Sequence, residues 1–163
     1  MTPRIDVGAV APEALNGLHA STGYLQRQSG LEPALLDLVS LRASQMNGCA
    51  FCMAMHVLEA KERGERDERL HGLIAWREAG WYTERERAAL AWTEAVTDIT
   101  HGHVDDDVYA TARAVFSEHE LVALNLAVVT INSWNRFSIP FRMPPEAAPA
   151  VIAALGGRER TPA

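Results

Sequence analysis

The two cysteines of this chain stand three positions apart, in Asn47-Gly48-Cys49-Ala50-Phe51-Cys52-Met53-Ala54-Met55-His56, and a histidine follows the second by four. Steps of three and four residues lie along one stripe of a helix. If the segment is helical after Gly48, then Cys49, Cys52 and His56 share one face. Two thiols so spaced can close a disulfide, and an imidazole one turn away can take or give a proton.

Chemistry offers three uses for this arrangement. In the first, one thiolate attacks a peroxide or a disulfide; with peroxide it becomes a sulfenic acid, which the neighbouring thiol captures as a disulfide. A free thiol titrates at about 8.5, so a helix N-terminus or a base must favour the thiolate. These two influences select different cysteines. Cys49 lies nearer the helix N-terminus, whereas Cys52 lies one turn from His56. The second use is zinc binding by two thiolates and an imidazole. A structural site needs a fourth ligand, and neither His71 nor His101 and His103 complete a zinc spacing, so no metal is expected. In the third, the cysteines are small buried hydrophobes, a reading that their register with His56 at a helix start disfavours.

The elements that must position these residues read as helices throughout. Alanine, leucine, glutamate and arginine dominate, and no run alternates apolar and polar residues long enough for a strand. The expected elements are a helix over 12–28, open to a break near Gly23, then helices over 32–46 and 50–63. Asn47-Gly48 separates the latter two, and Gly64 ends the second. The cysteine pair then opens the second arm of a helical hairpin. A short amphipathic helix is expected over 67–78. Another begins at the capping box Thr83-Glu84-Arg85-Glu86 and runs to about residue 99. Further helices are expected over 105–115 and 118–137, the latter apolar on several sides and closed by Pro140. A last helix spans 145–155, and the tail 156–163 is expected to be mobile.

Composition sets the bounds. A length of 163 residues fits one all-α domain, 1–163, able to build its own core. The formal charge of −6 and the lack of a run of like charges argue against a nucleic-acid partner. No stretch approaches the roughly 20 apolar residues of a membrane-spanning helix, and residues 1–10 show no apolar leader. A soluble, cytoplasmic protein is expected. In a reducing compartment, a CxxC is more often redox-active or metal-binding than structural.

The run from Asp37-Leu38-Val39-Ser40-Leu41-Arg42 through Cys49 and Cys52 to His56 resembles the AhpD-like alkylhydroperoxidases of the carboxymuconolactone decarboxylase superfamily. The likeness extends to Thr83-Glu84-Arg85-Glu86-Arg87-Ala88-Ala89-Leu90-Ala91-Trp92-Thr93-Glu94-Ala95 and to Ile131-Asn132-Ser133-Trp134-Asn135-Arg136, covering residues 30–142, the core of the domain. The resemblance implies an all-α helical bundle that assembles into trimers or hexamers. It also implies a peroxidase in which Cys52 is peroxidatic, Cys49 resolving and His56 the proton relay. Asp37 stands where the family carries a glutamate, and so would orient His56 from a shorter arm. Phe51 stands where the family carries a second histidine, and cannot move a proton.

The expected activity is therefore thiol-dependent reduction of hydrogen or organic peroxides, with the pair reset by an external dithiol of thioredoxin-like or lipoyl type. No phosphate loop or haem motif appears, so no cofactor is expected. Two other readings stand beside it. A decarboxylase or isomerase of lactone-type substrates would not need two thiols three residues apart, and a non-catalytic, redox-sensing helical oligomer would use the disulfide to change shape or partner affinity. Elsewhere, His71, His101 and His103 read as surface residues and the tryptophans as core or interface. The acidic and basic residues of 84–94 read as pairs on a solvated helix face, and Asn132, Asn135 and Arg136 as polar groups that either satisfy an interface or approach the cysteine pocket, the interface being preferred.

Overall fold

The computed structural model of the chain describes residues 2–158, and within them every regular element is helical. In chain order these are α1 (Val7–Val10), a 3-10 turn (Pro12–Leu15), α2 (Asn16–Arg27), α3 (Pro33–Asn47), α4 (Ala50–Glu62) and α5 (Asp67–Gly72). A second 3-10 turn (Leu73–Ala75) precedes α6 (Glu84–Thr97), α7 (Asp106–Val115) and α8 (Glu118–Phe141). A third (Pro145–Ala147) leads into α9 (Ala148–Arg158). The all-α reading is correct, and the expected mobile tail falls mostly outside the description. The final helix continues through Arg158, and residues 159–163 lie outside the described residues.

The helix α3 is the centre of the domain, packing against α4, α6 and α8. Its sequence prescribes this: Leu35, Leu38, Val39, Leu41 and Ala43 occupy more than one face, and all are buried. Pro33 stands at its N-terminus, where the missing N–H costs nothing. At its other end Gly48 adopts a left-handed conformation, φ 70°, and the amide of Cys49 returns to the carbonyl of Ser44 at 3.0 Å. One glycine thus turns the chain directly from α3 into α4.

The capping box at Thr83 is present as expected. A second, Ser117 with Glu120, opens α8. Three expectations change in detail. Gly23 does not interrupt α2, because the helix is held on both sides of it. The helix begun at Asp67 tightens to a 3-10 turn after Gly72. Pro140 does not end α8, which continues to Phe141: a proline so near the C-terminus forfeits only one helical bond. The α8 terminus is then capped from the chain's beginning, where Arg4 donates its backbone N–H to the Phe141 carbonyl and its guanidinium to that of Pro140, both at 3.0 Å.

The charges of α6 connect elements and do not lie idle on a solvated face. Glu94 accepts from Arg42 of α3 at 2.6–2.7 Å, from the Trp76 indole at 2.8 Å, and from Arg77. Glu86 pairs with Arg69, and Arg85 reaches Glu32 and Glu120. Arg87 donates to the carbonyls of Trp76 and Arg77. The loop between α5 and α6 is held by these bonds, with Trp76 buried and Trp81 left half in solvent.

Candidate active site

Cys49 is the N-cap of α4, with extended backbone, and its Sγ accepts the Cys52 amide at 3.3 Å. The two cysteines form a disulfide with Cα atoms 5.4 Å apart. Both are nearly inaccessible, at 1% and 2% exposure. Their surroundings are apolar: Phe51 beside them, Ala43 of α3, Ile131 of α8, and Ala148 at the start of α9. The last helix therefore roofs the pair.

Beneath the turn runs a chain of amides. Asn47 donates to the carbonyl oxygens of Asn132 and Asn135 at 2.9 and 2.8 Å. Asn135, fully buried, donates to Ser44 at 3.1 Å, and Asn132 to Thr97 at 3.0 Å. These asparagines of α8 thus approach the cysteine turn, the second of the two places expected for them. A buried amide must be paired, and here the pairing ties α8 to the end of α3 that presents the cysteines.

One turn beyond Cys52, His56 bonds Glu59 at 2.9 Å through Nδ1. A carboxylate only accepts, so Nδ1 carries the hydrogen, and whenever the ring is neutral its free lone pair lies on Nε2. That Nε2 is buried and without a hydrogen-bond partner among the described residues. An imidazole held this way can act as a base through Nε2. Burial pushes the Glu59 carboxyl up, but the bond and charge of His56, with Arg63, outweigh it and hold the group below its usual range.

Asp37 reaches the same region from α3, and its bonds go elsewhere. Arg63 Nη1 donates to both its oxygens, at 2.9 and 2.8 Å. Burial, aided by the charge of Glu59, raises the Asp37 carboxyl to about 6 against the pull of Arg63 and His56. Donor atoms of Asp37, His56 and Glu59 lie within 4.8 Å of one another, the geometry of a possible cation site. All three are already engaged, Asp37 by Arg63 and His56 and Glu59 by each other, which disfavours a cation there. Asp37 and Arg63 also wall an open cleft with Ala34, Ala60, Gly64 and Glu65. His71, His101 and His103 are exposed.

Arg63, Glu59 and Ser138 of this site escaped the sequence reading. Glu59 could have been found, since it lies three positions after His56 on one helix. Ser138 could not: its hydroxyl stands 3.5 Å from Cys52 Sγ across 86 positions of sequence.

The fold and site together define an all-α bundle with a CxxC-spaced cysteine pair at a helix start and a carboxylate-bound histidine one turn on. The chain belongs to the carboxymuconolactone decarboxylase family, whose profile matches residues 11–95, and it is an AhpD-like member. It is 38% identical over 139 residues to the uncharacterised protein YdfG of Bacillus subtilis (strain 168), covering 85% of this chain and 94% of that one. A crystal structure of a protein of unknown function from Agrobacterium tumefaciens, assigned provisionally to antioxidant defence as AhpD, superposes with a TM-score of 0.84. That pair shares 42% identity, covering 88% of this chain and 97% of the other. The debrominase Bmp8 bound to 2,3,4-tribromopyrrole superposes with a TM-score of 0.77 over 88% of this chain and 76% of its own, at 17% identity, a likeness of fold alone. Among the described residues no helix is long and apolar enough to cross a membrane.

Proposed function

We propose that this chain is a thiol-dependent peroxidase acting on hydrogen or organic peroxides through Cys49 and Cys52. The observation that carries the reading is the pair itself: two cysteines in disulfide contact at a helix start, with His56 one turn away and its Nε2 lone pair free. The family likeness supports the assignment of Cys52 as attacker.

In the reduced protein His56 Nε2 takes the Cys52 thiol proton. The thiolate attacks one peroxide oxygen, an S–O bond forms and the O–O bond breaks, and the departing alkoxide or hydroxide takes a proton from the imidazolium. Cys52 is now a sulfenic acid. The Cys49 thiolate attacks its sulfur, closing the disulfide and expelling hydroxide, which leaves as water. An external dithiol then returns both thiols by exchange and becomes a disulfide itself. Asp37, held by Arg63, contributes charge to this region, while Glu59 holds the ring.

The assembly of the chain into a homo-oligomer, trimer or hexamer, belongs to the same proposal. Val122 and Val129, seven residues apart on α8, leave apolar surface in solvent, at 71% and 47% exposure, which supports it. Native mass spectrometry decides it.

The chemistry is tested by reducing the protein, adding one equivalent of peroxide, and following the two thiols by mass. Rapid loss of two hydrogens confined to Cys49 and Cys52, with turnover under a dithiol and none in Cys52→Ser, is expected. A Cys52→Ser protein that consumes peroxide at the normal rate would overturn the assignment. Disulfide formation without turnover would make the pair a redox sensor.

A further inference from the structure

Ser138 lies on α8, 4% exposed, with its hydroxyl 3.5 Å from Cys52 Sγ. Helical serines and threonines commonly return their hydroxyl to the carbonyl four residues back. In this chain Ser21, Thr22, Thr93, Thr111 and Ser133 all do so, at 2.7–3.0 Å. Ser138 does not. Among the described hydrogen bonds its Oγ is paired with the cysteine sulfur, and a disulfide sulfur carries no hydrogen, so the hydroxyl is the donor.

We propose that Ser138 is a catalytic residue, whose hydroxyl donates to the Cys52 sulfur, stabilises its thiolate in the reduced protein and so distinguishes Cys52 from Cys49 as the attacking thiol. The inference rests on the peroxidase reading only in naming Cys52 the attacker. Each sulfur has one donor: Cys49 the Cys52 amide at the helix start, and Cys52 the hydroxyl. A donor to an ionised acceptor makes a stronger bond than one to a neutral acceptor, and the effect is larger where water is excluded, as it is around both sulfurs.

Among the described hydrogen bonds Cys52 Sγ has no other partner, and the apolar cluster that holds the pair includes Ala43 of α3, Ile131 and Trp134 of α8, and Ala148 and Val151 of α9. The ionisable groups of the region are Cys49 and the set His56, Glu59, Asp37 and Arg63, which lies beyond Cys52 along α4. The hydroxyl can thus be removed without touching a charge.

The test is site-resolved alkylation of the fully reduced protein by iodoacetamide across pH, read by mass spectrometry for each cysteine. In Ser138→Ala, alkylation of Cys52 at pH 7 is expected to slow about tenfold, the equivalent of one unit in thiol ionisation. The deficit should vanish at high pH, where both proteins are fully ionised. Cys49 should be unaffected, and Ser138→Thr, which keeps the hydroxyl, should restore the wild-type profile. An unchanged Cys52 profile in Ser138→Ala, or equal slowing of both cysteines, would overturn the inference. Because the readout needs no peroxide, a protein that fails as a peroxidase but shows the Cys52-specific shift sinks that reading and leaves this one standing.

Discussion

Arg63 holds both carboxylate oxygens of Asp37, at 2.9 and 2.8 Å, so the acidic side chain that α3 brings towards His56 is bound to a guanidinium and not to the imidazole. The partner of His56 is Glu59, on the same helix, at 2.9 Å.

Glu59 should therefore matter more to the chemistry than Asp37. A positioned base contributes about 10²–10⁴ in rate, and Glu59→Ala is expected to lower the rate of peroxide-driven disulfide formation by about tenfold or more. Asp37→Asn should change it by less than about threefold. Stopped-flow measurements on pre-reduced protein compare the two. Equal losses would return the orienting role to Asp37.

Asp37 should mark the dependence of stability on pH. Its carboxyl is raised to about 6 in the folded chain from an unfolded value of 3.8, so the folded state holds its proton more tightly. The stability from this group is fully present below about 4 and is lost as pH rises through about 6. Relative to Asp37→Asn, the native protein should therefore lose on the order of 2–3 kcal/mol between pH 4 and pH 7. Denaturant midpoints of both proteins at several pH values measure this, and a difference independent of pH would refute it.

Asn135 should be a large contributor to stability. It is fully buried and bonded to Asn47 and Ser44, and removing one partner leaves buried polar groups unpaired at about 1–3 kcal/mol. Asn135→Ala should cost about that much, and Asn135→Asp, which cannot donate to Ser44, a comparable amount. Chemical denaturation of the reduced and oxidised forms checks both. Full stability in either variant would mean that the amide chain under the turn does not hold it.

Gly48→Ala should cost about 1 kcal/mol from backbone strain alone, since φ is 70° and no neighbouring atom lies within 4 Å of an added Cβ. Gly48→Asn should cost less, because asparagine tolerates the left-handed region better. A much larger loss on thermal melting would point to a steric role for the glycine that the packing does not contain.

The helices were legible because their signals are local. Pro33 and Gly48 bracket α3, and Thr83 with Glu86 opens α6; each acts through the backbone of its own turn. The charges of α6 were misread for the opposite reason. The spacing of Glu94 and Arg87 says nothing of Arg42, Trp76 or the carbonyls of the preceding loop, which come near only when α3, α5 and α6 pack. The choice between an interface and the cysteine pocket for the asparagines of α8 was open for the same reason, and packing brings them to Asn47 and Ser44.

By itself the sequence determined that the chain is all-helical and that Cys49 stands at the start of the helix along which Cys52 and His56 follow, since periods of three and four residues fix side chains to a face. Only the tertiary structure decided what each of them touches. Asp37 was drawn to Arg63 because α3 and α4 pack together with the guanidinium beside the buried carboxylate. Ser138 was placed at Cys52 because α8 crosses the same core from 86 positions away. Packing between helices decides such contacts, and helical periodicity carries no record of it.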